Sequence, residues 1–323
     1  MVTFVAGLTL LASLGHIVNV AAQCSNNVAV YNPDLRTMTA NQSYFIVPVP
    51  KAAVQTAINE AYPLMNLSLL DVPTSDKSLF PSGFPAGMHP VVAVQQYDDD
   101  IRMSALQIDG PLIAGIVLAL YVSKDGSKSP LSVSTDQYIA GKNGPLPNGL
   151  APALASTLLF AGAPVRLGEF RPQDAAWLSE GDGLFSAQSK WALVPNPISG
   201  PAVYPEAADL EFRTIAAAQS KYTAKTFRYV LNQPLLLPSG QCQRNSYYFN
   251  NATAVPVFRR GQVTLGPAAD GANPVSGVLQ KASPDGSGVY ANVDGYSVCA
   301  QNVGHSPEDC DAAVANVNPD IYS

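Results

Sequence analysis

Charged residues are scarce in this sequence. Only 13% of the 323 residues are charged, about half of the fraction usual in soluble domains. Lys and Arg number 18 against 24 Asp and Glu, the formal net charge is −6, and the basic residues form no run. Proteins that bind nucleic acid carry a basic patch for the phosphates, so we expect no nucleic-acid partner. With 47% hydrophobic residues, the composition also excludes a disordered chain.

Several motifs of cofactor and metal sites are missing. The four cysteines form no C-x-x-C pair and the three histidines are not paired, so we expect no metal site. There is no G-x-S-x-G nucleophile turn, no G-x-G-x-x-G after a strand and no P-loop. We therefore expect no bound dinucleotide or ATP, and no cofactor.

Long hydrophobic runs are also absent, except near the N-terminus. Val2–Ala22 contains no charged side chain, but its apolar run, Phe4–Leu14, is shorter than the roughly 20 residues of a membrane span. Val20-Ala21-Ala22 has the small residues of a signal-peptidase site, which predicts a signal peptide at residues 1–22 and a mature chain from Gln23. A buried N-terminal strand or helix is the alternative. We expect a secreted or secretory-pathway protein with no membrane partner.

Cysteine number and three sequons agree with export. All four cysteines follow the predicted signal peptide, and an even count suits two disulfides. Cys299 and Cys310 enclose a short loop, so we expect them to pair, which leaves Cys24 for Cys242. The glycosylation sequons begin at Asn41, Asn66 and Asn251, and we expect glycans on surface loops there, with chance occurrence as the alternative.

Hydrophobic patterns predict a mainly β (α+β) fold. The apolar segments of strand length are Tyr44–Val49, Val91–Val94, Ile113–Val122, Leu131–Val133, Phe227–Leu237 and Ala254–Leu265. Apolar residues at three- and four-residue intervals predict a helix over Lys51–Tyr62, and a second helix is expected over Glu206–Ala218. We expect a single barrel-like antiparallel β domain over residues 23–267 with a few short helices. Residues 268–323 are expected to form a Gly/Pro-rich, disulfide-tied tail.

The order of these segments resembles that of the acetoacetate decarboxylases. The resemblance is carried by Tyr44-Phe45-Ile46-Val47 with the helix that follows it, by Val91-Val92-Ala93-Val94-Gln95-Gln96-Tyr97, by Gly115–Val122, by Phe227–Leu237 and by Pro256–Leu265 with its Arg260-Gly261. It covers roughly residues 44–267 in scattered blocks, without a signature motif. The resemblance implies a closed β-barrel-like cone that acts on a small hydrophobic or keto-acid ligand.

The resemblance implies a Schiff-base lysine only in part. Members of that family use one of two adjacent lysines, whereas the corresponding stretch here, Tyr138–Lys142, has a single lysine. The family's arginine ahead of the first strand is replaced by Gln42. Small turn residues around Lys142 would leave its ammonium group in water, so we expect an ordinary exposed lysine and no Schiff base.

Three residues are the candidates for catalysis. His89 is one of two histidines after the predicted signal peptide, and a His is the usual general acid or base near neutral pH; a loop histidine is the alternative. Asp98, the first of three successive aspartates, is a candidate general base, or else part of a solvated turn. Arg228 is expected to point into the barrel and bind a substrate carboxylate, with a surface ion pair as the alternative.

Three classes of function agree with these features. The first is a secreted enzyme, a lyase or isomerase that decarboxylates, cyclises or isomerises a small keto or enol metabolite, with a role in secondary metabolism. The second is a non-catalytic protein that binds a lipid or another small molecule in the same cavity. The third is an extracellular structural glycoprotein. We favour the first, because a buried cavity is costly to maintain unless a ligand occupies it.

Overall fold

Nine strands close into a barrel. The computed structural model describes residues 24–103, 106–107, 111–141, 165–191, 208–250, 252, 254–266 and 274–322. The strands are β1 Arg36–Pro50, β2 Leu67–Leu69, β3 Met88–Met103, β4 Leu106–Gln107, β5 Leu112–Lys124, β6 Leu131–Gly141, β7 Val165–Arg171, β8 Leu178–Gly181, β9 Leu184–Trp191, β10 Ala208–Thr214, β11 Leu235–Leu236, β12 Cys242–Gln243, β13 Asn245–Tyr248, β14 Val257–Leu265 and β15 Val289–Gly304. The barrel order is β1-β3-β5-β6-β7-β9-β10-β14-β15, and β15 pairs with β1 to close it. All pairs of this ring are antiparallel except β6 with β7.

The described residues also form a few short helices. The α-helices are α1 Lys51–Ala61, α2 Ala224–Leu231, α3 Pro274–Lys281 and α4 Cys310–Ala315, and 3-10 turns lie at Asn27–Tyr31, Ala217–Gln219 and Pro319–Tyr322. The predicted fold class, mainly β with a barrel and a few helices, is therefore confirmed.

Alternation along the strands separates two apolar layers. Phe45 on β1 meets Phe212 on β10 with ring centroids 5.2 Å apart, and side chains from strands that are not neighbours meet only across the interior of a closed barrel. Tyr44, the residue before, points the other way and contacts Phe227 of α2 at 5.6 Å. The barrel thus has a filled lumen and an outer layer under α2, and successive β1 residues alternate between them.

Helices α1 and α3 cover one end of the lumen. The predicted helix over Lys51–Tyr62 forms as α1, and its Val54, Ala57 and Ile58 are buried at the expected spacing. These side chains join the lumen core together with Val275 and Leu279 of α3. Since α1 follows the end of β1 and α3 precedes the start of β15, both helices lie where these antiparallel strands meet.

Two expected elements were assigned to the wrong type. The segment expected as a helix over Glu206–Ala218 contains strand β10, where Ala208, Leu210 and Phe212 alternate into the core. The segment expected as a strand over Phe227–Leu237 begins with helix α2, because Thr223 caps its N-terminus by accepting from the backbone N–H of Thr226. In both segments tertiary burial decided between two periods that the short apolar pattern left ambiguous.

The expected disulfide pairs are wrong. The disulfides join Cys24 to Cys299 and Cys242 to Cys310, with Cα–Cα distances of 5.9 and 4.8 Å. Cys299 lies inside β15, opposite Asn41 of β1, and the extended strand carries the chain away from it by about 3.3 Å per residue. In the fold, Cys299 instead lies next to Cys24, and Cys310 lies next to Cys242 on β12.

The barrel does not end at residue 267. Strand β15, within the segment expected as a tail, lies between β14 and β1 and completes the ring. The tail composition was misleading because its prolines lie outside this strand, and Gly295 in the strand interior is paired with Phe45 of β1. Residues 1–22, expected as a signal peptide, lie outside the described residues, as do Asn251 and Lys142.

Candidate functional site

A buried arginine lies in the barrel lumen. Arg259 is on β14, on the same face as the buried Val263 and Leu265, and is 5% exposed. Its Nε donates a hydrogen bond to the Ser297 Oγ of β15 at 2.9 Å, and its Nη1 donates to the Thr214 Oγ1 of β10. The neighbouring strands on both sides of β14 thus hold the guanidinium.

Aromatic rings surround the same guanidinium. Its Cζ lies 4.7 Å from the ring centroid of Phe185, 5.4 Å from that of Phe212 and 5.7 Å from that of Trp177. The electron-rich faces of such rings attract a cation. Burial lowers the pKa of Arg259 to about 10, so the side chain remains protonated at neutral pH. The lumen therefore contains a fixed positive charge.

Arg259 has no carboxylate partner within the part of the chain that the structure describes. Other partly buried arginines do have one: Arg166 pairs with Asp136, and Arg260, the next residue, pairs with Asp294 at 2.5 Å. A buried charge without a counter-ion is costly. Its rings and hydroxyl groups offset this cost in part, and an anion bound at the guanidinium would supply the missing charge.

The serine next to Arg259 leaves one hydroxyl proton available. Ser297 Oγ accepts from Arg259 and lies 2.6 Å from Ser43 Oγ, and both serines are buried. One hydrogen bond joins the two hydroxyl groups and uses one of their two protons. Among the described residues the other proton has no acceptor. The pair therefore offers an O–H donor beside the guanidinium.

The Gln95 side chain crosses the lumen next to this site. Its Nε2 donates across the barrel from β3 to Ser189 Oγ of β9 at 2.8 Å and to the Ala208 carbonyl oxygen at 2.7 Å. Gly115 makes room for this contact, because a Cβ there would lie 2.5 Å from Ser189 Oγ. These contacts cross the lumen beside Ser43, the strand partner of Gln95.

An ion pair, Arg166 with Asp136, lies on the β6–β7 wall of the lumen. Asp136 is fully buried and accepts from Arg166 Nη1 at 3.0 Å and from the Tyr138 hydroxyl at 3.4 Å. This pair is electrically neutral. It leaves Arg259 as the unbalanced charge of the lumen among the described residues.

His89 is buried and held as a neutral ring. Its Nε2–H donates to the Leu120 carbonyl oxygen at 2.6 Å, and the ring packs edge-on against Tyr121. Burial is the largest cause that lowers its pKa, to about 4. A loop position was the alternative to catalysis, but His89 lies in β3 and is not among the groups that contact Arg259.

Asp98 and Arg228 lie on the outer layer of the barrel. Asp98 is on the outward face of β3, and burial raises the pKa of its carboxyl group to about 7. Arg228 is on α2, with its guanidinium 5.6 Å from the Phe249 ring, so the expectation that it points into the barrel is wrong. The charge of Arg228 lowers the pKa of the Tyr44 hydroxyl, and the charge of Asp98 raises that of Tyr247, although burial is the largest cause for both tyrosines. The structure thus brings these two candidates into one layer, apart from Arg259.

The sequence pattern of β14 marks Arg259 as unusual. On β14, Val257, Arg259, Gly261, Val263 and Leu265 share one face at a period of two. An arginine on the apolar face of a strand is unusual and marks either a buried ion pair or a ligand site. Only the fold shows that no acid lies opposite it in the described part of the chain.

The described residues include no group of three or more His, Cys, Asp or Glu side chains that could hold a metal ion. Within the same residues, no helix combines the length and the apolar character needed to cross a bilayer. Two disulfides are typical of proteins from oxidising compartments.

Two solved structures are similar to this chain. One is the enduracididine biosynthesis enzyme MppR, complexed with the condensation product of pyruvate and imidazole 4-carboxaldehyde; identity is 9%, 85% of this chain and 88% of that chain are covered, and the TM-score is 0.45. The other is an acetoacetate decarboxylase-like enzyme from Sphingomonas wittichii RW1, with 9% identity, coverage of 86% and 93%, and a TM-score of 0.42. No family model and no curated protein matches.

The resemblance expected from the strand order is thus found among solved structures. At this identity the likeness concerns the fold alone. With TM-scores of 0.45 and 0.42, the likeness says nothing about the reaction.

Proposed function

We propose that the protein binds a small organic carboxylate of the keto-acid or enol class in the barrel lumen and decarboxylates, cyclises or isomerises it. The observation that carries the proposal is the buried Arg259, which has no carboxylate partner among the described residues. Two of its five N–H groups donate hydrogen bonds to the protein. The remaining N–H groups of the planar guanidinium can donate to a ligand carboxylate.

The serine pair supports a role beyond binding charge. Decarboxylation and enolisation both develop negative charge on a carbonyl oxygen, and a preorganised donor stabilises that charge. The free proton of the Ser43–Ser297 pair is such a donor, and its position beside Arg259 would place it near a group attached to the bound carboxylate. The roles expected for His89, Asp98 and Arg228 are not part of this proposal, since their side chains contact other parts of the protein.

Export is part of the proposal. The signal-peptide pattern at residues 1–22, three sequons and two disulfides support a secreted glycoprotein. N-terminal sequencing of the protein from a secreting host tests this: a chain that begins at Gln23 is expected, and an intact Met1 would contradict it.

Binding without turnover is the second candidate function. It is favoured by the groups around Arg259, which are hydroxyls and aromatic rings rather than an acid or base that titrates near neutral pH. The two candidates share the ligand class and differ only in whether the ligand is converted.

The decisive experiment compares binding and turnover in matched variants. Pyruvate and acetoacetate are titrated by calorimetry into the wild-type protein, Arg259→Met and Ser43→Ala, and the acetoacetate samples are followed by NMR for acetone. Arg213→Met is the control, because Arg213 is an exposed arginine on β10 that donates to a backbone carbonyl. We expect at least tenfold weaker binding in Arg259→Met, unchanged binding in Arg213→Met, and slower turnover in Ser43→Ala.

Two results would count against the proposal. If Arg259→Met and the wild type bind the keto acid with equal affinity, Arg259 is not the binding site. If the wild type binds a keto acid but converts none, the result supports binding without turnover. Because Arg259→Met removes a buried cation, its folding is checked by near-ultraviolet circular dichroism, and Ser43→Ala supplies a milder variant of the same site.

A further inference from the structure

The outer layer of the barrel contains a second group of buried polar side chains. Outward-facing residues of β1, β3 and β15 form an apolar core with α2, which includes Val94, Phe227 and Val298. The buried polar side chains of this layer include Gln42, Tyr44, Asp98 and Asn302, each at most 5% exposed. We call these four the outer polar group.

Most polar atoms of this group lack a hydrogen-bond partner. Within the described chain, neither amide atom of Gln42 or of Asn302 has a partner, and the Tyr44 hydroxyl has none. Asp98 Oδ2 accepts from Gln96 at 2.9 Å, but its Oδ1 has no partner. Buried polar groups in native proteins are nearly always paired, with the protein, with water or with a ligand. Six atoms without a partner in one layer therefore need a common explanation.

Strand register places these side chains around two alanines. Ala40 of β1 lies opposite Asp98 on one side and opposite Ala300 of β15 on the other. Gln42 is two residues along β1 from Ala40, and Asn302 is two residues along β15 from Ala300, so all five share the outward face. The two alanines thus form a row with the amide of Gln42 at one end and the amide of Asn302 at the other. The carboxyl group of Asp98 lies beside Ala40.

The atoms without a partner include both hydrogen-bond donors and acceptors. The amide nitrogens of Gln42 and Asn302 are donors, while their oxygens and Asp98 Oδ1 are acceptors. An ion would satisfy only one kind, whereas an alcohol hydroxyl donates and accepts at once.

We propose that the outer polar group is a binding site for a small uncharged molecule with several hydroxyl groups. The site is separate from the one at Arg259, since the sheet lies between the outward face of β1 and the lumen. Its ligand would lie along the row from Gln42 to Asn302, next to Tyr247, the strand partner of Asn302 on β13.

The test measures binding of a polyol to matched variants. Xylitol is the probe, and its affinity is measured by saturation-transfer difference NMR on the intact disulfide-bonded protein. The variants are Gln42→Leu and Asn302→Leu, and the control is Gln262→Leu, an exposed glutamine on β14. We expect at least tenfold weaker binding in both variants, unchanged binding in the control, and no displacement of xylitol by pyruvate.

Each other outcome overturns the site. Absence of xylitol binding to the wild type, equal binding in all variants, or displacement by pyruvate would each contradict it. If the leucine variants fail to fold, crystals of the wild type soaked in xylitol decide the question. Xylitol oxygens on the amides of Gln42 and Asn302 support the site, whereas ordered water alone on both amides overturns it.

Discussion

Gln95 and Ser189 are hydrogen-bonded across the interior of the barrel, 2.8 Å apart, although their strands β3 and β9 are not neighbours. Because Gln95 is 2% and Ser189 1% exposed, water cannot replace this bond. The bond joins opposite walls of the barrel next to Ser43, which is the strand partner of Gln95.

The first prediction concerns the glycine beneath that bond. A Cβ on Gly115 would lie 2.5 Å from Ser189 Oγ and 3.0 Å from Gln95 Nε2. We expect Gly115→Ala to reduce the free energy of unfolding by about 1–3 kcal/mol, as overpacking of a filled core does. Gly277→Ala is the contrasting variant, because no atom within 4 Å meets a Cβ at this helical position. It should be stabilising by about 0.5–1 kcal/mol. Urea unfolding measures both, and an unchanged Gly115→Ala midpoint would show that the walls are not in close contact.

The second prediction concerns the disulfides. Peptide mapping under non-reducing conditions should find Cys24 joined to Cys299 and Cys242 joined to Cys310. Replacing either pair by alanine should cost about 2–5 kcal/mol, since each bond restricts the unfolded chain. The bond between Cys24 and Cys299 closes 275 residues against 68 for the other, so the loop-entropy model predicts the larger loss for it. The opposite order in thermal unfolding would contradict that model here.

The third prediction is a pH dependence caused by His89. Its pKa is about 4 in the folded protein, against 6.5 for an ordinary histidine. The unfolded chain therefore binds the proton first, and the contribution of His89 to stability is complete above pH 6.5 and is lost as the pH falls towards 4. The loss should reach about 3 kcal/mol. Urea unfolding of the wild type and of His89→Gln between pH 7 and 4 should show a steeper loss in the wild type.

Asp98 acts in the opposite direction, which is why the difference between two proteins is measured. Its pKa is raised to about 7, so its stabilising contribution is present at low pH and is lost as the pH rises through 7. Both the wild type and His89→Gln contain Asp98, and its contribution cancels. Parallel pH profiles of the two proteins would contradict the assignment to His89.

The fourth prediction separates two of the glycosylation sequons. Asn66 is exposed in the turn before β2, whereas Asn41 lies within β1 rather than on a loop and shares the lumen-facing side with Ser43. Asn41 is partly buried and paired on both sides, with Cys299 and with Tyr97, so we expect glycosylation at Asn66 and not at Asn41. In protein secreted from a eukaryotic host, Asn66→Gln should remove a mass that N-glycosidase also removes. Asn41→Gln should leave that mass unchanged, and a loss there would contradict the placement.

Local patterns identified some elements well and failed at others for a physical reason. Helix α1 was predictable because Val54, Ala57 and Ile58 recur at the helical period after a proline. Strand β10 was predicted as a helix and helix α2 as a strand. Each is only seven or eight residues long, which is too short for hydrophobic periodicity to identify its type. Their type follows from what they bury: β10 alternates into the lumen, and α2 lies over Tyr44 and Tyr296.

The sequence by itself determined the fold class, a mainly β chain with few charges. It also contains a signal-peptide pattern and an even number of cysteines. The tertiary structure alone decided which cysteines meet, that β15 completes the barrel, and that Arg259 lies in the lumen while Asp98 and Arg228 lie in the outer layer. These features depend on contacts between residues far apart in the chain, such as Cys24 with Cys299. Composition and local periodicity carry no information about such contacts, because closure of the ring sets which side chains face each other.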